Sequence, residues 1–120
     1  ELHWLPSKGR LQLHTGAVFA ANFVNLMLHQ ADRIVRHETG LDYRVYLPLL
    51  QEVTTKLGEL PPAEAQTGPA ARGDTSTQQR HLALLEADFP ELAELYRRLS
   101  EQIRALSQEE GDPKGDPNGD

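Results

Sequence analysis

The stretch SKGRLQLHTGAVFAANFVNLMLHQADRIVRHETG, residues 7–40, decides how the rest of the chain is read. It reads as one helix that begins near Ser7 to Arg10 and runs to about Thr39, with Gly40 placed for a left-handed cap. At the usual rise per residue such a helix is about 45 Å long. Its middle is apolar nearly all round, the pattern of a helix that other helices surround. We therefore expect it to be buried and to form the spine of the fold. Its longest apolar run, residues 16–28, is 13 residues and contains Asn22 and Asn25. That is too short and too polar for a bilayer span, so no membrane partner is expected.

The remaining sequence supports helices throughout. Leu and Ala together number 31 while Val and Ile number 7, and no period-2 run is visible, a balance that favours an all-α fold. A second helix follows Asp42, a plausible N-cap, with Val45, Leu49, Val53 and Leu57 at four-residue spacing. Pro48 either kinks this helix or delays its start. Gly58 and Pro61-Pro62 end it. Residues 61–74 read as a short helical turn and a Gly/Pro loop. A further helix starts at Thr75, where Thr75 and Gln78 have capping-box spacing, and ends near Asp88. Pro90 opens the last helix, whose stripe is Leu92, Leu95, Tyr96, Leu99, Ile103 and Leu106.

The 120 residues carry 12 bases and 18 acids, a net charge of −6. This argues against a nucleic-acid partner. Residues 108–120 hold five of the acids and no apolar residue. They are expected to be a disordered acidic Gly/Pro tail behind a helical domain of residues 1–107. There is no cysteine, which excludes disulfides, cysteine nucleophiles and thiolate metal sites and fits a cytoplasmic protein. No His pair has the spacing that places two imidazoles on one ion, so no metal is expected. The chain starts at Glu1, and we expect it to be part of a longer precursor.

Two segments are candidates for chemistry. Taking about 100° per residue from His14, Asn25 falls near 20°, His29 near 60° and Asn22 near 80°, so four polar groups share one side of the first helix. They are either satisfied by neighbouring backbone or line an elongated cleft. His14 and Asn22, about 12 Å apart by rise, cannot bond each other. The loop Thr67-Gly68-Pro69-Ala70-Ala71-Arg72-Gly73-Asp74 offers a hydroxyl, a guanidinium and the start of a helix. It is either a turn held by an Arg72–Asp74 ion pair or an anion site.

The ordered set His14-x-x-x-Val18-Phe19-Ala20-x-Asn22-Phe23, Gly40-Leu41-Asp42, Leu47-Pro48-Leu49, Gln66-Thr67-Gly68-Pro69-Ala70-x-Arg72-Gly73-Asp74, His81-Leu82 and Pro90-Glu91-Leu92-x-x-Leu95-Tyr96 resembles one family. It is the helical C-terminal domain of the domain of unknown function 2520 family, which is similar to the C-terminal helical bundle of 6-phosphogluconate dehydrogenase. The resemblance covers roughly residues 8–107. It implies a domain that follows a Rossmann-like NADP-binding domain, often helps form a homodimer, and closes a cleft beside the nicotinamide. NADP is then expected in the parent protein, with no cofactor site in this chain.

Carried over by position, the site residues are His14 and Asn22 as catalytic groups, and Thr67, Gly68, Pro69, Arg72 and Asp74 on the substrate. Related hydroxyacid dehydrogenases place a Lys four residues before an Asn on this helix. Here Val18 precedes Asn22, so lysine-assisted proton transfer is not expected. The leading function is the substrate-side and dimerisation domain of an NADP-dependent oxidoreductase. The alternatives are a non-catalytic helical interaction module and a small-anion sensor built on the 67–74 loop.

Overall fold

The computed structural model describes residues 5–111, the side chains of 110 and 111 excepted. Every regular element among them is helical, and the chain is all-α. It divides into two compact units, Glu1–Leu49 and Leu50–Asp120.

In the first unit α1 (Ser7–Ala17), a π-helical turn (Val18–Asn22) and α2 (Phe23–Thr39) follow one another without a break. The Phe23 N–H reaches back to the Val18 carbonyl, five residues earlier, which is the bonding pattern of a π turn. Helical dihedrals stop at His37, with ψ at 112°, and Glu38 follows at φ 71°. Gly40 takes the left-handed conformation at φ 79°, as its position predicts. The chain then turns back on bonds to side chains. The Thr39 hydroxyl accepts from the Leu41 N–H at 3.0 Å, and Asp32 Oδ1 accepts from the Tyr43 N–H at 2.6 Å. Asp42 caps the next element, a 3-10 turn over Tyr43–Tyr46, by accepting from the Arg44 N–H at 2.9 Å. α3 (Leu47–Leu57) straddles the boundary of the two units. Pro48 is its second residue. There the missing N–H is harmless, so the helix is not kinked but starts later than Asp42 alone would suggest.

The expectation of a buried first helix is corrected. No residue of α1, the π turn or α2 is buried. Leu11 and Phe19 are 66% and 64% exposed, and within this unit only the turn after Gly40 packs on the helix, leaving Met27, Leu28, Ile34 and Val35 half-buried. Phe19 and Phe23 meet edge to face with centroids 4.8 Å apart. By length and composition the Ser7–Thr39 helix is also apolar enough to cross a membrane, with mean hydropathy 1.2 in its most apolar window. Counting only the uninterrupted run over 16–28 concealed this. The core helix of a soluble protein passes the same test.

The second unit holds α4 (Pro62–Ala65), α5 (Pro69–Arg72), α6 (Thr75–Asp88) and α7 (Pro90–Gly111). Its core is Ala70, Leu85, Phe89, Leu92 and Ala93, each at most 8% exposed. Phe89 explains why α6 and α7 fold onto each other. Its backbone leaves the helix at φ −143° while its N–H still bonds the Leu85 carbonyl and its own carbonyl accepts from Leu92. Burying each large side chain here contributes about 1.5–3 kcal/mol. α7 runs to Gly111, past the boundary expected after Ser107, because a helix propagates one bond at a time through Gln108, Glu109 and Glu110. The remainder of the expected acidic tail, 112–120, lies outside the described residues.

Candidate functional site

The sequence-designated residues fall into both units. His14 and Asn22 belong to the first, and Thr67, Gly68, Pro69, Arg72 and Asp74 to the second. The side chains of His14 and Asn22 are exposed, and neither makes a side-chain hydrogen bond to another described residue. Asn22 is the last residue of the π turn. A π bulge adds one residue to the path, so every position beyond it rotates by roughly 100° relative to an ideal helix. The angles counted from His14 therefore do not carry across to Asn22, Asn25 and His29.

Beyond the bulge α2 presents a continuous polar face. Asn25, His29, Asp32 and Arg36, with Leu28 and Tyr43, line a groove of about 370 Å³. The spacing of three and four residues stacks these side chains on one side of the helix. Asp32 is its fixed point, only 17% exposed, accepting from Arg36 Nε at 2.8 Å and from the Tyr43 N–H. The Arg36 hydrogen bond holds its carboxyl below the usual carboxylate range, assisted by the Tyr43 amide and opposed by desolvation. Reciprocally, Asp32 raises the pKa of Arg36. Sequence reasoning included Asn25 and His29 in its stripe but missed Asp32, Arg36 and Tyr43. The i, i+4, i+7, i+11 recurrence from Asn25 was a signal for the helical members. The Tyr43 contribution depends on the return of the chain after Gly40.

In the second unit the 67–74 loop is a set of turns. Gly68 at φ 105° precedes Pro69, the first residue of α5, and Gly73 at φ 70° ends that helix in the left-handed region. Asp74 is the cap of α6. It accepts from the Thr77 N–H at 3.1 Å and from the Thr77 hydroxyl at 2.8 Å. The expected Thr75–Gln78 capping box is replaced by this cap one residue earlier. These two Thr77 bonds, with a smaller share from Arg72, hold the Asp74 carboxyl below its usual range. Arg72 reaches Asp74 Oδ2 at 3.4 Å, so the ion pair weighed from the sequence is formed. Thr67 contributes its carbonyl, which accepts from Gln66 Nε2 at 3.2 Å.

Arg104 of α7 ties this loop to the helix behind it. Its Nη1 donates to the Ala71 carbonyl at 3.0 Å. The guanidinium lies where a Cβ on Gly73 would come within 3.0 Å of its Cζ. Nearby, His81 Nδ1 and the Tyr96 hydroxyl are 2.8 Å apart, their rings edge to face, and burial pushes the Tyr96 phenol up. Tyr96 and Arg104 line a groove of about 330 Å³ with Thr75, Gln78 and Ser100. Tyr96 was legible on the stripe of the last helix, His81 only as part of the family pattern, and Arg104 carried no local signal.

The fold defines the class, an all-α domain of the kind found at the C-terminal side of dehydrogenases. Residues 1–103 match the family described as "Domain of unknown function (DUF2520)", and the chain belongs to that family. No curated protein matches the chain. Among solved structures it is similar to a "putative NADP oxidoreductase" from Bacteroides fragilis, at 40% identity and a TM-score of 0.79. The match covers 84% of this chain and 38% of that one, so the chain spans well under half the length of the relative.

Proposed function

We propose that residues 1–107 act as the substrate-side and dimerisation domain of a cytoplasmic NADP-dependent oxidoreductase. The observation that carries this reading is the 40% identity to a protein named "putative NADP oxidoreductase", over only 38% of its length. The remaining length of such a protein is where the family resemblance puts a Rossmann-like NADP-binding domain. Among the described residues there is no strand. The strand, Gly-rich turn and helix that hold a dinucleotide pyrophosphate thus have no counterpart here. These residues do not fit NADP, and no hydride-transfer step is derived from them. The NADP domain and a second copy of the chain are the partners.

In this reading the exposed apolar side of the first helix is a packing surface, where Leu11, Phe19, Phe23 and Leu26 await a partner. Patches of this kind mark interaction sites. In this reading His14 serves as an acid or base and Asn22 as a hydrogen-bonding orienter, both with exposed side chains that carry no hydrogen bond to a described residue. In the loop, Thr67 and Arg72 are the substrate holders. Arg72 keeps donors beyond its bond to Asp74, while Gly68, Pro69 and Asp74 shape the turn that carries it.

The test is an NADPH titration by calorimetry on the 120-residue chain and on the same chain extended by its upstream region, with sedimentation to read the oligomeric state. Binding only by the extended protein, as a dimer, supports the proposal. Binding by neither leaves the alternative, a non-catalytic helical interaction module, for which the uncovered apolar side of the first helix is the supporting observation.

A further inference from the structure

We infer that the groove on α2 is a binding site for a small monocarboxylate, with Arg36 as the recognising fork and Asp32 as the residue that positions it. The Arg36 guanidinium is held by one edge only, through Nε to Asp32 Oδ2 at 2.8 Å. Its two Nη groups have no hydrogen-bond partner among the described residues. Two parallel N–H donors on a planar, oriented group match a carboxylate better than a flexible point charge does. Asp32 does not compete with the ligand, because its Oδ1 is already engaged by the Tyr43 N–H and its Oδ2 by Arg36.

The other polar groups of the groove are donors or adaptable groups with no hydrogen bond to another described residue. They are the Asn25 amide, the His29 ring and the Tyr43 hydroxyl. Leu28 supplies an apolar wall for a short carbon chain. The charge balance limits the ligand's charge. Asp32 is paired with Arg36, and Asp42 with Arg44 at 3.5 Å. These pairs leave the groove without net charge, and Asp42 also acts on Arg36, so binding rests on the free edge of Arg36 and favours a monoanion over a dianion such as phosphate. That this carboxylate belongs to the substrate of an oxidoreductase rests on the function proposed above. The site itself does not.

The probe is acetate, titrated into the labelled protein and followed by nuclear magnetic resonance, with inorganic phosphate as the competing anion. The expected result is saturable shifts at Asn25, His29, Arg36 Nε and Tyr43 with acetate, and weaker binding of phosphate. Arg36→Lys keeps the charge and removes the fork, and should weaken acetate about tenfold. Tyr43→Phe keeps the backbone bond to Asp32 and should weaken it less. Arg98→Lys, on a helix of the other unit, should change nothing. Arg36→Lys also removes a bond from Asp32, so the Tyr43 amide shift in the unliganded variant reports whether Asp32 still holds the turn. Non-saturating shifts, equal effects of Arg36→Lys and Arg98→Lys, or tighter binding of phosphate would overturn the inference. Acetate binding without NADPH binding by the extended protein would retain the site and remove the oxidoreductase reading.

Discussion

The two units of this chain solve the problem of apolar surface in opposite ways. The second folds α5, α6 and α7 around Ala70, Leu85, Phe89, Leu92 and Ala93 and buries them. The first carries a more apolar helix and buries none of it. Sequence hydrophobicity therefore does not by itself decide burial. The second unit has a reversal at Phe89-Pro90 that returns one amphipathic helix onto another. The first has a long uninterrupted helix followed by a turn that covers only its end, through Tyr43 and Asp32. An apolar side chain contributes stability to the unit that encloses it. Otherwise it is available to a surface from outside.

The largest expected effect lies in the enclosed core. Leu92→Ala should destabilise the second unit by about 2–4 kcal/mol in denaturant unfolding. Leu26→Ala, at a residue 45% exposed, should cost the isolated chain about 1 kcal/mol or less and instead weaken its association with a partner. Equal losses would break the contrast between the units.

Gly73 and Gly40 sharpen it further, since both have φ near +75° but an added Cβ would meet a neighbour within 4 Å at Gly73, the Arg104 guanidinium, and none at Gly40. Alanine at either position should cost about 1 kcal/mol for the left-handed backbone. Gly73→Ala should cost more by the displacement of Arg104 from the Ala71 carbonyl, visible as an additional fall in melting temperature. If the two substitutions cost the same, the Arg104 contact contributes nothing.

A smaller effect is expected at Tyr96. Tyr96→Phe removes the hydroxyl shared with His81 and should lower stability by about 0.5–1 kcal/mol, measured by unfolding at neutral pH. No change would make the α6–α7 packing purely apolar.

The smallest effect is on pH dependence. Asp74 and Asp32 both have carboxyl groups held below the ordinary range. Each therefore contributes stability that is complete above the unfolded aspartate value of ~4 and is lost as pH falls through the lower folded value. Hydrogen exchange at the Thr77 and Tyr43 amides should accelerate only at pH values below that of an ordinary aspartate. Asp74→Asn should remove the acid dependence at Thr77 and leave Tyr43 unaffected. Coupled loss at both amides would contradict the separate accounts of the two units.

Much of the local structure was legible in the sequence because punctuation acts locally. Gly40, Asp42, the start at Thr75 and the Pro90 boundary each follow from backbone freedom, side-chain capping or a missing N–H. The stripe on α7 was legible because its period of 3.6 maps onto one face. The candidate site was legible in part. Asn25 and His29 were found by periodicity, although their angles relative to His14 were misread, because a π turn leaves no signature in a run such as Val18-Phe19-Ala20-Ala21-Asn22. The cap at Asp74 was misplaced by one residue because Thr75, Thr77 and Asp74 all carry a capping oxygen, and only geometry selects among them.

By itself the sequence determined that this protein is helical, where most helices begin and end, and to which family it belongs. Those properties depend on interactions within a few residues and on an ordered set of motifs. Tertiary structure alone decided that no residue of the long helix is buried by its own unit, that Tyr43 returns to Asp32 eleven residues earlier, and that Arg104 closes over Gly73. Each of these joins residues distant in sequence. Such contacts are set by the path of the backbone between them and leave no periodic trace in the chain itself.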